Sequence, residues 1–99
     1  MTYFDHFNFN VLDLDRSLAF YREALGLTPV GEKAAEDGSF KLVYLGDGAT
    51  GFQLELTWLR DRKEPYNLGE LEYHLALRTG DVIDPSVQIS RFNLSKSVT

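Results

Sequence analysis

The sequence predicts an α+β fold in which one helix follows an opening strand and three further strands come after it. In several short segments apolar residues alternate with polar ones, which is typical of strands with one buried face. One segment instead repeats its apolar residues at helical spacing. The length of 99 residues, with 43% hydrophobic and 25% charged residues, is that of a single ordinary globular domain.

The first strand and the helix are the clearest elements. The strand is predicted from about Tyr3 to Val11, and Asp13 is a good N-cap for the segment that follows. The helix is predicted over Leu14 to Leu25, and Gly26 can adopt the left-handed conformation that ends it. Four apolar residues mark its buried face: Leu14, Leu18, Tyr21 and Leu25.

The remaining strands are separated by turns and by one charged connector. They are predicted at Leu27 to about Lys33, Phe40 to Leu45, Gly51 to Leu59 and Glu70 to Arg78. Pro29 interrupts the first of these, which predicts an edge strand or a bulge. Arg60 to Gly69 is the connector, and Asp81 to Thr99 is left unassigned. Within it, residues 87–91 permit a short strand and residues 82–87 a weak helix.

Composition excludes several classes of function. A net charge of −5 without a cluster of Lys or Arg argues against nucleic acid and against an anionic membrane as partner. The absence of cysteine excludes disulfides, thiolate metal ligands and a cysteine nucleophile. No apolar stretch approaches the roughly 20 residues that span a bilayer, and no signal peptide is recognisable, so cytoplasmic residence is expected. A domain this small buries a limited core, which makes a homodimer plausible.

Three metal-competent side chains, those of His6, Glu55 and His74, each lie near the middle of an alternating segment. In each segment the apolar residues share one face and the candidate ligand lies on the other. Two imidazoles and a carboxylate form a set that suits Zn, Ni, Co, Mn or Fe(II). Asn8 and Asn10 lie on the face of His6 and are candidates for binding substrate.

Each of these residues also has an ordinary structural interpretation. A single histidine on a sheet is more often a structural or surface residue than a ligand. Glu55 could belong to a solvated face together with Gln53 and Thr57, and Asn10 could be an ordinary solvated residue on the polar side of the sheet. The joint pattern of three such residues favours the metal site over these separate interpretations.

Four segments together carry a family resemblance: His6 to Leu14, Ser17 to Leu27, Leu54 to Thr57 and Tyr66 to Leu77. Through them, residues 4–78 resemble the glyoxalase I family, the lactoylglutathione lyases of the vicinal-oxygen-chelate superfamily. The resemblance implies two βαβββ modules curled around a metal ion, with His6, Glu55 and His74 as three of its four protein ligands. It also implies a homodimer with sites between the chains, as is usual for bacterial members.

The implied organisation is a glyoxalase-like domain over residues 1–80 followed by an unassigned tail over residues 81–99. Within the domain, residues 1–59 form the first βαβββ module, residues 60–69 a linker, and residues 70–79 the first strand of a second module. The tail does not resemble the family, as though the reading frame had shifted or the gene had been truncated near Gly80.

The chain also departs from the family at individual residues. The terminal Glu that serves the family as fourth ligand and base has no counterpart here. Asn10 stands where an Arg is expected, and Leu59 where an Asn is expected, so the identity of the thiol is left open.

The resemblance implies a metal-dependent lyase that converts hemithioacetals of a 2-oxoaldehyde and a thiol into 2-hydroxyacyl thioesters. The cofactor would be a divalent metal ion, Ni or Zn, and the partner a small-molecule thiol adduct. Glu55 is the candidate catalytic residue as well as a ligand, and without the terminal Glu the activity is expected to be impaired. The alternatives are a catalytically inactive small-ligand-binding module of the same fold, or a related epimerase, dioxygenase or thiol transferase.

Overall fold

The computed structural model describes residues 1–78 and 89–91 of the chain. Its elements are β1 (His6–Val11), α1 (Leu14–Leu25), β2 (Thr28–Ala34), β3 (Phe40–Gly46), β4 (Gln53–Leu59), β5 (Ala76–Arg78) and β6 (Ile89–Arg91). The first five elements follow the order β-α-β-β-β, which confirms the predicted fold class.

The first four strands form one sheet in the order β1-β4-β3-β2. β1 runs parallel to β4, whereas β4, β3 and β2 are joined by antiparallel pairing. The opening strand therefore lies beside the last strand of the unit. This topology brings residues about fifty positions apart in sequence into direct cross-strand register.

Helix α1 is bounded by the two capping residues that the sequence predicts. The Asp13 carboxylate accepts a hydrogen bond of 3.0 Å from the backbone amide of Arg16. Gly26 ends the helix with a φ of 69°, and its amide donates to the Arg22 carbonyl at 3.0 Å. Both caps satisfy backbone groups that the helix cannot pair internally, which explains why its bounds agree with the prediction.

The core lies between α1 and one face of the sheet. Its buried apolar residues are Phe9, Val11, Leu14, Tyr21, Leu27, Val43, Leu45, Leu54 and Leu56. Leu18 and Leu25 pack against this core but are only partly buried. Two assignments differ from the sequence pattern: Phe7 is 39% exposed although it alternates with Phe9, and Ser17 is 3% exposed although it is polar.

Strand β2 confirms the interpretation of Pro29. The strand lies at the edge of the sheet, and its register with β3 shifts between Pro29 and Gly31. Proline has no amide hydrogen to donate to a neighbouring strand, so both the edge and the bulge accommodate it.

The predicted strand from Glu70 to Arg78 is shorter than the sequence suggests. Only Ala76–Arg78 is extended and paired, and it pairs antiparallel with Ile89–Arg91 in a separate two-stranded sheet. Gly69 and Leu71 have φ values of 65° and 53°, and left-handed backbone at these positions interrupts an extended strand. Of residues 87–91, for which the sequence permits a short strand, Ile89–Arg91 form β6. The weak helix over residues 82–87 lies outside the described residues.

Among the described residues, no helix combines the length and the apolar character needed to cross a membrane.

The β3–β4 turn is organised by the carboxylate of Asp47. This carboxylate accepts hydrogen bonds from the amides of Ala49 and Thr50 at 2.8 and 2.7 Å, and from the Thr50 hydroxyl at 2.7 Å. The hydrogen bonds from Thr50 and Ala49 lower the pKa of Asp47 below its ordinary value. Gly48 adopts a φ of 76° beside it, so both residues fit the tight turn that the sequence predicts at 46–48.

Replacing Asp47 by asparagine is expected to lower the free energy of unfolding at pH 7 by about 1 kcal/mol or less, since the carboxylate is exposed. The folded pKa lies below the unfolded one, so the carboxylate stabilises the fold above the unfolded pKa. That contribution is lost as the pH falls through the folded pKa. Urea unfolding of the wild type and of Asp47→Asn from pH 7 to about pH 3 should show the difference between their free energies of unfolding becoming smaller. Glu36→Gln, at an exposed carboxylate in another turn, is the control, and a difference independent of pH would contradict this role.

Candidate functional site

The sheet face opposite the core carries the candidate site. Because side chains alternate along each strand, the residues between the core positions share this face. We call it the polar face, and its residues are His6, Asn8 and Asn10 on β1, Tyr44 on β3, and Glu55 and Thr57 on β4. Cross-strand register places Asn8, Glu55 and Tyr44 in one row, with Glu55 in the middle.

The His6 imidazole is oriented by its sequence neighbour. The Nδ1 atom of His6 lies 2.6 Å from Oδ2 of Asp5, and the His6 side chain is 41% exposed. The hydrogen bond with Asp5 raises the pKa of His6; desolvation opposes this increase, and the negative charges of Glu55 and Asp5 add to it. With Nδ1 engaged by Asp5, Nε2 is the ring nitrogen that remains to bind a metal ion.

The Glu55 carboxylate is half-buried and contacts both of its cross-strand neighbours. When the Asn8 amide is turned so that its nitrogen faces Glu55, Nδ2 donates to Oε1 of Glu55 at 2.8 Å, and the Asn8 oxygen then lies 2.8 Å from the side-chain amide of Asn10. The same nitrogen lies within hydrogen-bonding distance of the Thr57 hydroxyl. On the other side, interaction with the Glu55 carboxylate raises the pKa of the Tyr44 hydroxyl, and burial adds to the effect.

Tyr44 connects the two candidate ligands on the polar face. Its ring meets the His6 imidazole edge to face, with ring centroids 6.1 Å apart and an interplanar angle of 87°. The structure therefore brings His6 and Glu55 into one electrostatically coupled cluster on adjacent strands.

His74 is not part of this cluster in the described chain. It is exposed and lies in the irregular segment just before β5, as does Glu72. Across residues 1–78 and 89–91, no group of three His, Cys, Asp or Glu side chains is arranged to hold a metal ion. Of the three predicted ligands, two are brought together and the third lies elsewhere.

Asn8 and Asn10 also border a pocket at the outer edge of β1. The pocket has a volume of about 230 Å³, and the connector closes its other side. Its lining residues are Phe7, Asn8, Phe9, Asn10, Tyr66, Asn67, Leu68 and Tyr73. The Tyr66 hydroxyl is buried and has no hydrogen-bond partner among the described residues, while the Arg62 guanidinium lies 4.4 Å from the centre of its ring.

Sequence reasoning missed Asp5, Tyr44 and Tyr66. The predicted strand starts at about Tyr3 and would place Asp5 on the face opposite His6, whereas β1 begins only at His6; adjacency to His6 is the one usable signal for this contact. The position of Tyr44 opposite Glu55 depends on the register between β3 and β4, which no local pattern reveals. Tyr66 lies in a connector, where no periodicity predicts burial.

Residues 3–88 match the family described as the Glyoxalase/Bleomycin resistance protein/Dioxygenase superfamily. A lactoylglutathione lyase of Neisseria meningitidis is 29% identical over 90 residues, which cover 87% of this chain and 63% of that protein. A probable lactoylglutathione lyase of Synechocystis is 36% identical over 81 residues, which cover 78% of this chain and 60% of that protein. The chain thus spans about three fifths of the length of these relatives.

Solved structures give the same result for the fold. Leishmania major glyoxalase I, described as trypanothione-dependent, superposes with a TM-score of 0.70 at 29% identity, covering 87% of this chain and 63% of that one. Methylmalonyl-CoA epimerase of Mycobacterium tuberculosis superposes with a TM-score of 0.51 at 28% identity, covering 58% of this chain and 38% of that one. The longer match supports the βαβββ architecture described above.

Proposed function

The chain belongs to the Glyoxalase/Bleomycin resistance protein/Dioxygenase superfamily, and we propose that its chemistry is that of a lactoylglutathione lyase. The reaction would convert the hemithioacetal of a 2-oxoaldehyde and a thiol into a 2-hydroxyacyl thioester, with Ni or Zn as cofactor. The observation that carries this proposal is the placement of His6 and Glu55 on one polar face, on two adjacent paired strands. The lactoylglutathione lyases among its relatives support it.

The pair fits a divalent ion as part of a ligand set. A neutral imidazole and a carboxylate are ordinary ligands for such ions, and the His6 imidazole already has a partner, Asp5, that fixes its orientation. Catalytic zinc sites commonly have three protein ligands, so at least one more donor must come from outside the polar face.

We propose His74 as the third ligand, reaching the ion from a second copy of the chain in a homodimer. His74 is exposed and therefore accessible to a neighbouring molecule. In this arrangement residues 1–59 form the first module, residues 60–69 the linker, and residues 70–79 the beginning of a second module. The bound metal would act as a Lewis acid that stabilises negative charge on the substrate oxygens.

The chain's own residues would bind and deprotonate the substrate. Glu55 is the proposed base, because it is the carboxylate that shares the polar face with His6. Asn8 and Asn10 would contact the substrate from the bordering pocket, and the buried Tyr66 hydroxyl offers a further hydrogen-bonding group there.

A second candidate function is a small-ligand-binding module of the same fold without turnover. It is favoured by the position of His74 away from the polar face, and by the absence, among the described residues, of a group of three side chains that could hold a metal ion. The pocket of about 230 Å³ beside β1 would then be the binding site.

Metal binding tests the proposal directly. Titration calorimetry with Zn²⁺ and Ni²⁺ is expected to show weak binding by the wild-type chain and loss of binding by His6→Ala and Glu55→Ala. Because His74 is proposed to act across a dimer, His74→Ala should weaken binding and abolish metal-dependent dimerisation in sedimentation velocity. A wild-type chain that binds neither ion would overturn the metal-dependent function and leave the binding module.

A further inference from the structure

Glu55 is held in the middle of a row of polar side chains that reaches across three strands. The pairing of β1 with β4 places Asn8 directly opposite Glu55, and that of β3 with β4 places Tyr44 on its other side. Both neighbours carry hydrogen-bond donors. A half-buried carboxylate in a strand is costly unless its oxygens are paired, so these donors compensate its partial loss of solvent.

Asn8 contacts both the side chain and the backbone of Glu55. With its amide nitrogen turned towards Glu55, which removes the close approach of two acceptor oxygens, Asn8 Nδ2 lies 2.8 Å from Oε1 of Glu55 and 3.2 Å from the Glu55 backbone carbonyl. An ionised carboxylate accepts at about four lone-pair positions, so a hydrogen bond at Oε1 leaves others free for a metal ion. The amide of Asn8 carries no charge and does not itself repel a cation.

We propose that Asn8 is a positioning residue that fixes the Glu55 carboxylate for metal binding next to His6. This inference rests on the proposed metal-dependent function and adds a role for Asn8 distinct from contact with substrate. Because both residues lie on rigid, paired strands, the amide restricts the rotamers of Glu55 before any ion binds. Removing it leaves the ligand in place but less well oriented.

The test uses Asn8→Leu, a substitution of similar volume that removes the amide and can be accommodated at an exposed position. Its affinity for Zn²⁺, measured by calorimetry, is expected to fall about 10- to 100-fold, the usual consequence of losing a partner of a metal ligand. Asn8→Ala serves in the same way if the leucine variant does not fold.

A second measurement needs no metal. In a double-mutant cycle of Asn8→Leu and Glu55→Gln, the folding equilibrium constants of the metal-free proteins should show a coupling of about threefold or more. Strictly additive effects would overturn the inference, because they would mean that the amide does not contact the carboxylate. A Zn²⁺ affinity unchanged in Asn8→Leu would also overturn it, while leaving the proposed function intact. A wild-type chain that binds no metal would overturn both.

Discussion

Replacing Leu56 by alanine is expected to lower the free energy of unfolding by about 2–5 kcal/mol. Leu56 is 0% exposed and lies on β4, which has a strand on either side in the sheet. Truncation removes buried methyl groups and leaves a cavity that the paired strands cannot easily close. Urea unfolding monitored by fluorescence of Trp58 would measure the change.

Leu59→Ala is the matched control for this experiment. Leu59 ends the same strand and is 37% exposed, so its truncation should cost less than about 1 kcal/mol. For Leu18→Ala, the helical pattern alone predicts a cost of about 2–5 kcal/mol in free energy of unfolding. Because Leu18 is only partly buried, we expect its cost to lie between those of Leu56→Ala and Leu59→Ala. A loss at Leu56 no larger than at Leu59 would contradict the assignment of the core.

The parts of the fold that the sequence predicts are those determined locally. The bounds of α1 follow from Asp13 and Gly26, because each cap acts on backbone groups within one turn. The alternating strands are found because their buried face has a period of two residues. The shortening of the Glu70 strand was not predicted, because leucine normally avoids left-handed backbone. The sequence at Leu71 therefore carries no signal for the conformation that it adopts.

The candidate site is predictable in its residue types and less so in its geometry. Alternation places His6 and Glu55 on polar faces, but only the parallel pairing of β1 with β4 makes those faces one. The contact of Asn8 with Glu55 depends on a register between residues 47 positions apart, which no local pattern encodes. The proposal of His74 as a ligand still depends on an assembly of chains, since a sequence pattern does not specify which copy supplies each residue.

Turnover is expected to show the largest effect of all. If the proposed function holds, this chain supplied with Ni²⁺ or Zn²⁺ should isomerise a methylglyoxal–thiol adduct about 10²–10⁴-fold more slowly than the Neisseria meningitidis relative. The reason is that Glu55, the one carboxylate among the described residues of the polar face, would have to serve as both ligand and base, and lacking a separately positioned base commonly costs that factor. Thioester formation followed by absorbance, with the Neisseria meningitidis relative as reference, would measure the difference.

The residual rate identifies which carboxylate acts as the base. If Glu55 removes the proton, Glu55→Gln should abolish the remaining turnover, whereas Glu72→Gln, at an exposed carboxylate two residues from His74, should leave it unchanged. Turnover at the rate of the reference enzyme that is lost in His74→Ala would contradict the expected impairment and require a fully competent base in this chain. Metal binding without any turnover would instead support the binding module, because the polar face would then hold an ion that it cannot use for proton transfer.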